Sequence, residues 1–176
     1  TGPLQWMDHP EFGGSDKPAV GATWAQANAY AEWVGGRLPT EIEWEIAAKG
    51  GEKQRTYPWG EEVADMTRAN IDAVCTSTTP VSSYKLGAAS NGLMDMCGNV
   101  WEWCLDTWDP NFYRQMGQLE RNPRSRIDGT VCAIRGGSFE SFATMGRCSF
   151  RHYCEMDESR PDVGFRIVID RGLEQG

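Results

Sequence analysis

The groups with the most reactive chemistry in this 176-residue chain are six cysteines and two histidines. Cys75, Cys97, Cys104, Cys132, Cys148 and Cys154 contain no Cys-x-x-Cys pair, which argues against a zinc ribbon or a thioredoxin-type redox site. His9 and His152 stand far apart and cannot supply the His-x3-His helix that holds iron. His152, between Arg151 and Tyr153, reads as a surface or hydrogen-bonding residue. No Gly-rich phosphate loop, nucleophile elbow or paired-carboxylate arrangement is present. Cys97 and Cys104 flank the run Asn99-Val100-Trp101-Glu102-Trp103 and read as small buried hydrophobes. Glu102 in that run is placed to satisfy buried backbone donors beside two indoles.

The segment from Phe139 to Asp162 follows neither a 2.0 nor a 3.6 period. Its aromatics and methionines alternate irregularly with polar groups. One reading is a loop that buries Phe139, Phe142 and Phe150. The other is a recognition surface, because aromatics, Met and Arg are typical of contact patches. The candidate contacts are Glu140, Ser141, Phe142, Thr144, Met145, Phe150, His152, Tyr153, Glu155 and Met156.

The elements that must position these groups are few. Residues 1–21, rich in Pro, Gly and Asp, predict an irregular lead-in. Thr23-Trp24-Ala25-Gln26 has the spacing of a capping box and opens a helix to about Val34, with Trp24, Ala27, Ala31 and Val34 on one face. Gly35-Gly36 ends it. A second box, Thr40-Glu41-Ile42-Glu43, opens a helix to about Lys49 with Trp44, Ala47 and Ala48 inward; Glu45 reads as solvated or salt-bridged. Residues 60–95 predict ordered loop. Residues 106–130 are a polar excursion. Short strands are expected at 100–104, 131–135 and 164–169, from their β-branched and aromatic content.

Composition narrows the function class. A chain of this length is one domain and buries roughly two-thirds of its unfolded surface. The 17 basic and 25 acidic residues give a net charge of −8. With no basic stripe, nucleic-acid binding is not expected. No apolar run is long enough to span a membrane. No signal peptide is visible at the start, although the chain begins without Met and trimming of a leader stays open. The irregular cysteine spacing favours free thiols in a reducing cytoplasm; export with disulfides is the alternative. Eight tryptophans, each able to bury on the order of 150–250 Å², can pin loops that lack ladders of their own.

Arg37-Leu38-Pro39-Thr40, Gly98-Asn99-Val100-Trp101-Glu102-Trp103, Arg135-Gly136-Gly137-Ser138 and Gly164-Phe165-Arg166, in this order, resemble the formylglycine-generating-enzyme (sulfatase-modifying-factor) domain. That resemblance implies an α+β, C-type-lectin-like fold of low regular secondary structure, with two helices and short antiparallel strands. It spans about Pro18 to Ile169 of one domain over 1–176. The family's N-terminal segment has no match, so the strand near 164–169 is expected to offer an edge to a partner chain.

What the resemblance implies about chemistry is mixed. The family's calcium ligands map to Asp95, the carbonyls of Gly98 and Val100, and Glu102, a set of hard oxygens suited to that ion. A second calcium site would map to Asn70 and Ile71 but lacks its acidic partner. The oxidases of the family hold copper(I) on two thiols in a pocket lined here by Trp101 and Ser138. The first thiol position is Ser141, the second falls near Gly146, and Cys148 alone cannot replace the pair; neither copper nor iron is expected. The framework of Arg-Gly-Gly-Ser, Arg147, Arg151, Pro161 and Gly-Phe-Arg also looks like the variable proteins of diversity-generating retroelements. These display a ligand-binding surface on such a scaffold. The resulting expectation is a ligand- or protein-binding module with its surface in 139–156. The alternative is a diverged oxidase acting on a peptide or small molecule near Trp101, Ser138 and Cys148.

Overall fold

The computed structural model describes residues 9–51, 54–115, 123–125 and 128–170. The two capping boxes form as the sequence dictates. Thr23 caps α1 (Trp24–Trp33) and Thr40 caps α2 (Glu41–Ala48), each hydroxyl accepting from the backbone three residues on while the Gln26 or Glu43 side chain reaches back. These reciprocal bonds satisfy two otherwise orphaned donors at each helix start.

A four-stranded sheet separates the helices. β1 (Trp101–Thr107), β2 (Val131–Arg135), β3 (His152–Glu155) and β4 (Val163–Gly164) lie in the order β3-β2-β1-β4. β1 and β2 are antiparallel, with Glu102 opposite Arg135 and Trp103 opposite Ile134. The register slips between Trp103 and Thr107, where a bulge bends β1. β2 and β3 are antiparallel, with Cys132 opposite Cys154. β4 runs parallel to β1, so the expected antiparallel pairing fails at this edge. A crossover from β1 brings the chain back in the same direction. The strand expected over 164–169 shrinks to Val163–Gly164, and Val168 instead bridges to Arg37. A short α3 (Phe112–Gln115) interrupts the polar excursion, part of which lies outside the described residues.

The alternation of β1 sorts the core onto two faces. Trp101 and Trp103 join Ala27 and Ala31 of α1, Leu38, Cys132 and Ile134. Cys104 and Ala133 face the other way, with Trp44 and Ala48 of α2, Met96 and Cys148. The buried indole N–H groups are spent on the fold: Trp103 donates to the Ala22 carbonyl at 3.0 Å and Trp24 to that of Cys104 at 2.8 Å. A third cluster of Tyr57, Ala64, Ala69, Ile71 and Cys97 organises the loops between α2 and β1. No described helix is long and apolar enough to cross a membrane.

Candidate functional site

The turn that feeds β1 positions the first group of interest. Gly98 (φ 76°) and Asn99 (φ 67°) adopt left-handed backbone. A Cβ on Gly98 would lie 2.3 Å from the Asn70 carbonyl oxygen, so glycine is required on both counts. The turn is then zipped shut: Gly98 N donates to Gly136 O, Asn99 N to Asn70 O, and Phe139 N to Asn99 O. Its carboxylates are committed to protein partners. Asp95 accepts from the Ser82 backbone at 2.6 Å. Burial pushes the Asp95 carboxyl up, the Ser82 bond opposing and the Glu102 charge reinforcing that shift. Glu102 receives Arg166 in a fork, with Nε at 2.5 Å and a terminal nitrogen at 2.6 Å, and it also accepts from the Trp44 indole at 2.5 Å.

Asp95, Val100, Glu102 and Arg166 line one cavity of about 290 Å³. The groups the resemblance assigns to calcium are engaged within the protein. That ion needs six to eight oxygens, and the guanidinium already holds both oxygens of Glu102 while the Gly98 carbonyl accepts from Val100 N. No group of three or more His, Cys, Asp or Glu side chains with metal-holding geometry occurs among the described residues.

The second group is the loop after β2. Ser138 and Ser141 are both buried. Ser138 N donates to the Ser141 hydroxyl at 2.9 Å and the two hydroxyls lie 3.1 Å apart. The Ser141 and Phe139 carbonyls accept from Asp72 and Ala73, which clamps this loop to the 70–73 turn. At the second thiol position a Cβ built on Gly146 would stand 2.4 Å from Cys97 Sγ and 2.8 Å from Ile71 Cδ1. The space for a second sulfur is therefore filled from 49 positions upstream. Burial pushes the Cys148 thiol up to about 12 and that of Cys97 higher still, with Cys148 acting on Cys97.

The structure divides the candidate contacts in two. Glu140, Phe142, Thr144, Tyr153 and Glu155 are exposed, Phe142 at 70%. Ser141 is buried, and Met145, Phe150 and Met156 pack half-buried against the α1 face of the core. His152 lies 5.2 Å from the Trp101 ring, where burial lowers its pKa. Phe139 is core, whereas Phe142, expected beside it in a buried loop, is exposed. The aperiodic segment contains β3, which sits at the sheet edge with the Tyr153 ring tilted against Trp108 at 5.2 Å.

Underneath this surface lies a charge network that no local motif announces. Arg151 forks onto Glu41 at 2.6 Å and lies over the rings of Trp108 and Tyr113. Arg135, fully buried, reaches Glu45 at 2.6 Å and Glu41 at 3.7 Å. Glu45 also pairs with Lys49, which satisfies its salt-bridged reading. The two arginines of the β2–β3 region are thus tied to the helix start of α2, and this fixes the exposed segment from below.

The arrangement of Trp101, Ser138, Glu102 and Arg166 around these turns agrees with a match of residues 4–171 to the sulfatase-modifying factor enzyme 1-like domain. The chain belongs to this family. Over 158 residues it is 44% identical to the serine/threonine-protein kinase pkn1 of Chlamydia caviae, covering 90% of this chain and 25% of that protein. It is 36% identical to the formylglycine-generating enzyme of Streptomyces coelicolor, covering 93% and 56%. The chain thus spans a quarter to a little over half the length of these curated relatives. Among solved structures, the Treponema denticola variable protein 1 superposes with a TM-score of 0.75 at 20% identity, covering 95% of this chain and 77% of that one. The fold is the α+β, C-type-lectin-like type with little regular secondary structure.

Proposed function

We propose that this sulfatase-modifying-factor-like domain is a ligand- or protein-binding module whose recognition face lies in 139–156. The observation that supports the reading is Gly146: near the position where the resemblance puts a second thiol, an added Cβ would meet Cys97 and Ile71. Ser141, at the first position, is tied to Ser138 and offers a hard hydroxyl rather than a thiolate. The exposed Phe142, together with the outer part of Tyr153, is available as an anchor of a contact patch. In its finer form the reading is a variable protein of a diversity-generating retroelement. A reverse-transcriptase gene beside a near-copy of the 3′ end supports that form, and a sulfatase beside the gene opposes it.

Two measurements test the binding reading. Copper(I) titrated against a competing chelator forms no tight one-to-one complex with the purified protein, and a cysteine-containing peptide yields no aldehyde by mass spectrometry. Conversion of that peptide by the unmodified protein refutes it. Phe142→Ala leaves the melting temperature unchanged, because surface truncations stay within about 0.5 kcal/mol, while weakening capture of the cognate ligand.

The enzyme reading is favoured by the 36% identity to a formylglycine-generating enzyme and by the proximity of Cys97 to Cys148. Copper binding that disappears on Cys148→Ser would establish it. A further contact, with a partner chain, is supported by an apolar recess of about 550 Å³ between Phe12, Pro18, Tyr30, Phe165 and Ile167, while the strand edge itself is covered by Gly21 on Val163 and Arg37 on Val168. Light scattering of the purified chain tests it for a second copy, and a strictly monomeric, stable chain counts against it.

A further inference from the structure

A polar recess of about 270 Å³ opens beside the loop that follows Gly146. Lys49, Arg55, Thr56, Glu61, Arg147 and Ser149 line it. We propose that this recess binds a phosphate group, either the phosphorylated side chain of a peptide or the free anion. The site does not depend on the recognition face being correctly assigned.

Three cations from three separate parts of the chain converge here: the C-terminal end of α2, the 54–56 loop and the turn after Gly146. Among the described residues Glu61 is the carboxylate of the lining and Glu45 pairs with Lys49, so Arg55 and Arg147 supply the cationic excess in a chain of net charge −8. A positive concavity on an acidic molecule focuses its field on an incoming anion. Each guanidinium is oriented by the backbone: Arg55 donates to the Pro58 carbonyl at 3.2 Å and Arg147 to that of Thr144 at 2.9 Å. A guanidinium carries five N–H donors in a planar fork, so one anchoring bond leaves most of the fork for a tetrahedral oxyanion. Among the described residues neither arginine has a carboxylate within ion-pair distance, whereas Lys49 is paired with Glu45. Glu61 is turned toward Thr56, accepting from both its backbone and its hydroxyl. Those bonds keep it ionised and leave the cations in excess.

The walls are built rather than incidental. Cys148 N donates to Thr56 O at 2.8 Å, joining the two loops across the floor. Tyr57 and Gly60 bridge each other, and the Tyr57 ring stacks on Trp59 at 5.3 Å, closing the turn that carries Arg55. A phosphate monoester at pH 7 presents close to two negative charges and three acceptor oxygens, which suits two guanidinium groups that each keep most of their donors. A carboxylate uses half of that charge.

Backbone NMR of the labelled chain is the test, with inorganic phosphate, a phosphoserine tripeptide and its unphosphorylated counterpart as probes at constant ionic strength. Saturable shifts of the Thr56, Arg147 and Ser149 amides are expected with both phosphate probes and not with the unphosphorylated peptide. Arg55→Gln with Arg147→Gln weakens binding by about tenfold or more, roughly 1.4 kcal/mol, at an unchanged melting temperature. Glu61→Gln keeps an acceptor for Thr56 and tightens binding, which a purely structural role would not produce. A tripeptide that binds more tightly than phosphate identifies a phosphorylated side chain as the source; equal or weaker binding identifies the free anion. Shifts that fail to saturate, that chloride reproduces, or that survive in the double variant overturn the proposal.

Discussion

The strictest test of the packing around Gly146 is Gly146→Ala. The added methyl would sit 2.4 Å from Cys97 Sγ and 2.8 Å from Ile71 Cδ1, against a comfortable separation of about 3.5–4.0 Å. An intrusion of about 1 Å on two neighbours in a packed cluster costs about 1–3 kcal/mol. Taking about 2 kcal/mol for a domain of this size, the melting temperature falls by about 4–8 °C. The cause is checked by repeating the substitution in a Cys97→Ala background, where the nearer obstacle is gone. Urea unfolding of the four proteins gives the coupling, expected at about 1 kcal/mol or more in favour of the double variant. Equal losses in both backgrounds would refute the claim that Cys97 fills the space of a second sulfur. The same logic extends to function: Ser141→Cys with Gly146→Cys does not create a copper(I) site unless Cys97 is also trimmed.

Other outcomes follow from the buried charges and thiols. Glu41→Gln strips the shared partner from Arg135 and Arg151, and a buried pair broken on one side costs about 3–5 kcal/mol in chemical denaturation. Burial raises Asp106 to about 6 from the ordinary carboxylate value, with backbone bonds from Glu41 and Ser125 opposing that shift. Between roughly pH 4 and 6 the folded chain then binds the extra proton. Its contribution to stability therefore grows as pH falls through 6 toward 4, by on the order of 1–3 kcal/mol, and is lost as pH rises. Comparing unfolding midpoints of the parent and Asp106→Asn across that window isolates the effect, and parallel curves would refute it. Cys132 and Cys154 lie directly opposite on antiparallel strands, where Cα separations of about 4.5–5.5 Å fall in the bridging range. Excess glutathione disulfide should oxidise this pair, releasing two glutathione molecules, and peptide mapping identifies the cross-link. With Glu102 held by Arg166, millimolar calcium should shift the melting temperature by less than about 1 °C relative to chelator, read by scanning fluorimetry.

Local chemistry made the helices legible. Thr23 with Gln26 and Thr40 with Glu43 announce both helix starts at four-residue spacing, and Trp44 and Ala48 face inward as their period requires. The β-branched content of 131–135 likewise marks β2. β3 was not legible, because His152, Tyr153, Cys154 and Glu155 have little strand pattern and are held extended by pairing with residues 131–134. The parallel register of β4 depends on a crossover that no short window contains. At the site, Ser141 and Gly146 could be read as substitutions in a known framework. That Cys97 occupies the place left by Gly146, and that Arg166 closes on Glu102, are facts of packing across 49 and 64 positions. Period and spacing carry no information at that range.

The order of the strands has a consequence for how the chain reaches its native state. β1 lies between β2 and β4, and Gly21 at the front of the domain is held by Arg160, Val163 and the Ser159 hydroxyl near its rear. A growing polypeptide therefore cannot close its central sheet until the residues around Val163 have left the ribosome. Up to that moment the indoles of Trp101 and Trp103 lack part of their cover. Assembly rests on distant pairings, which form slowly, and that interval is when the nascent domain most needs a chaperone.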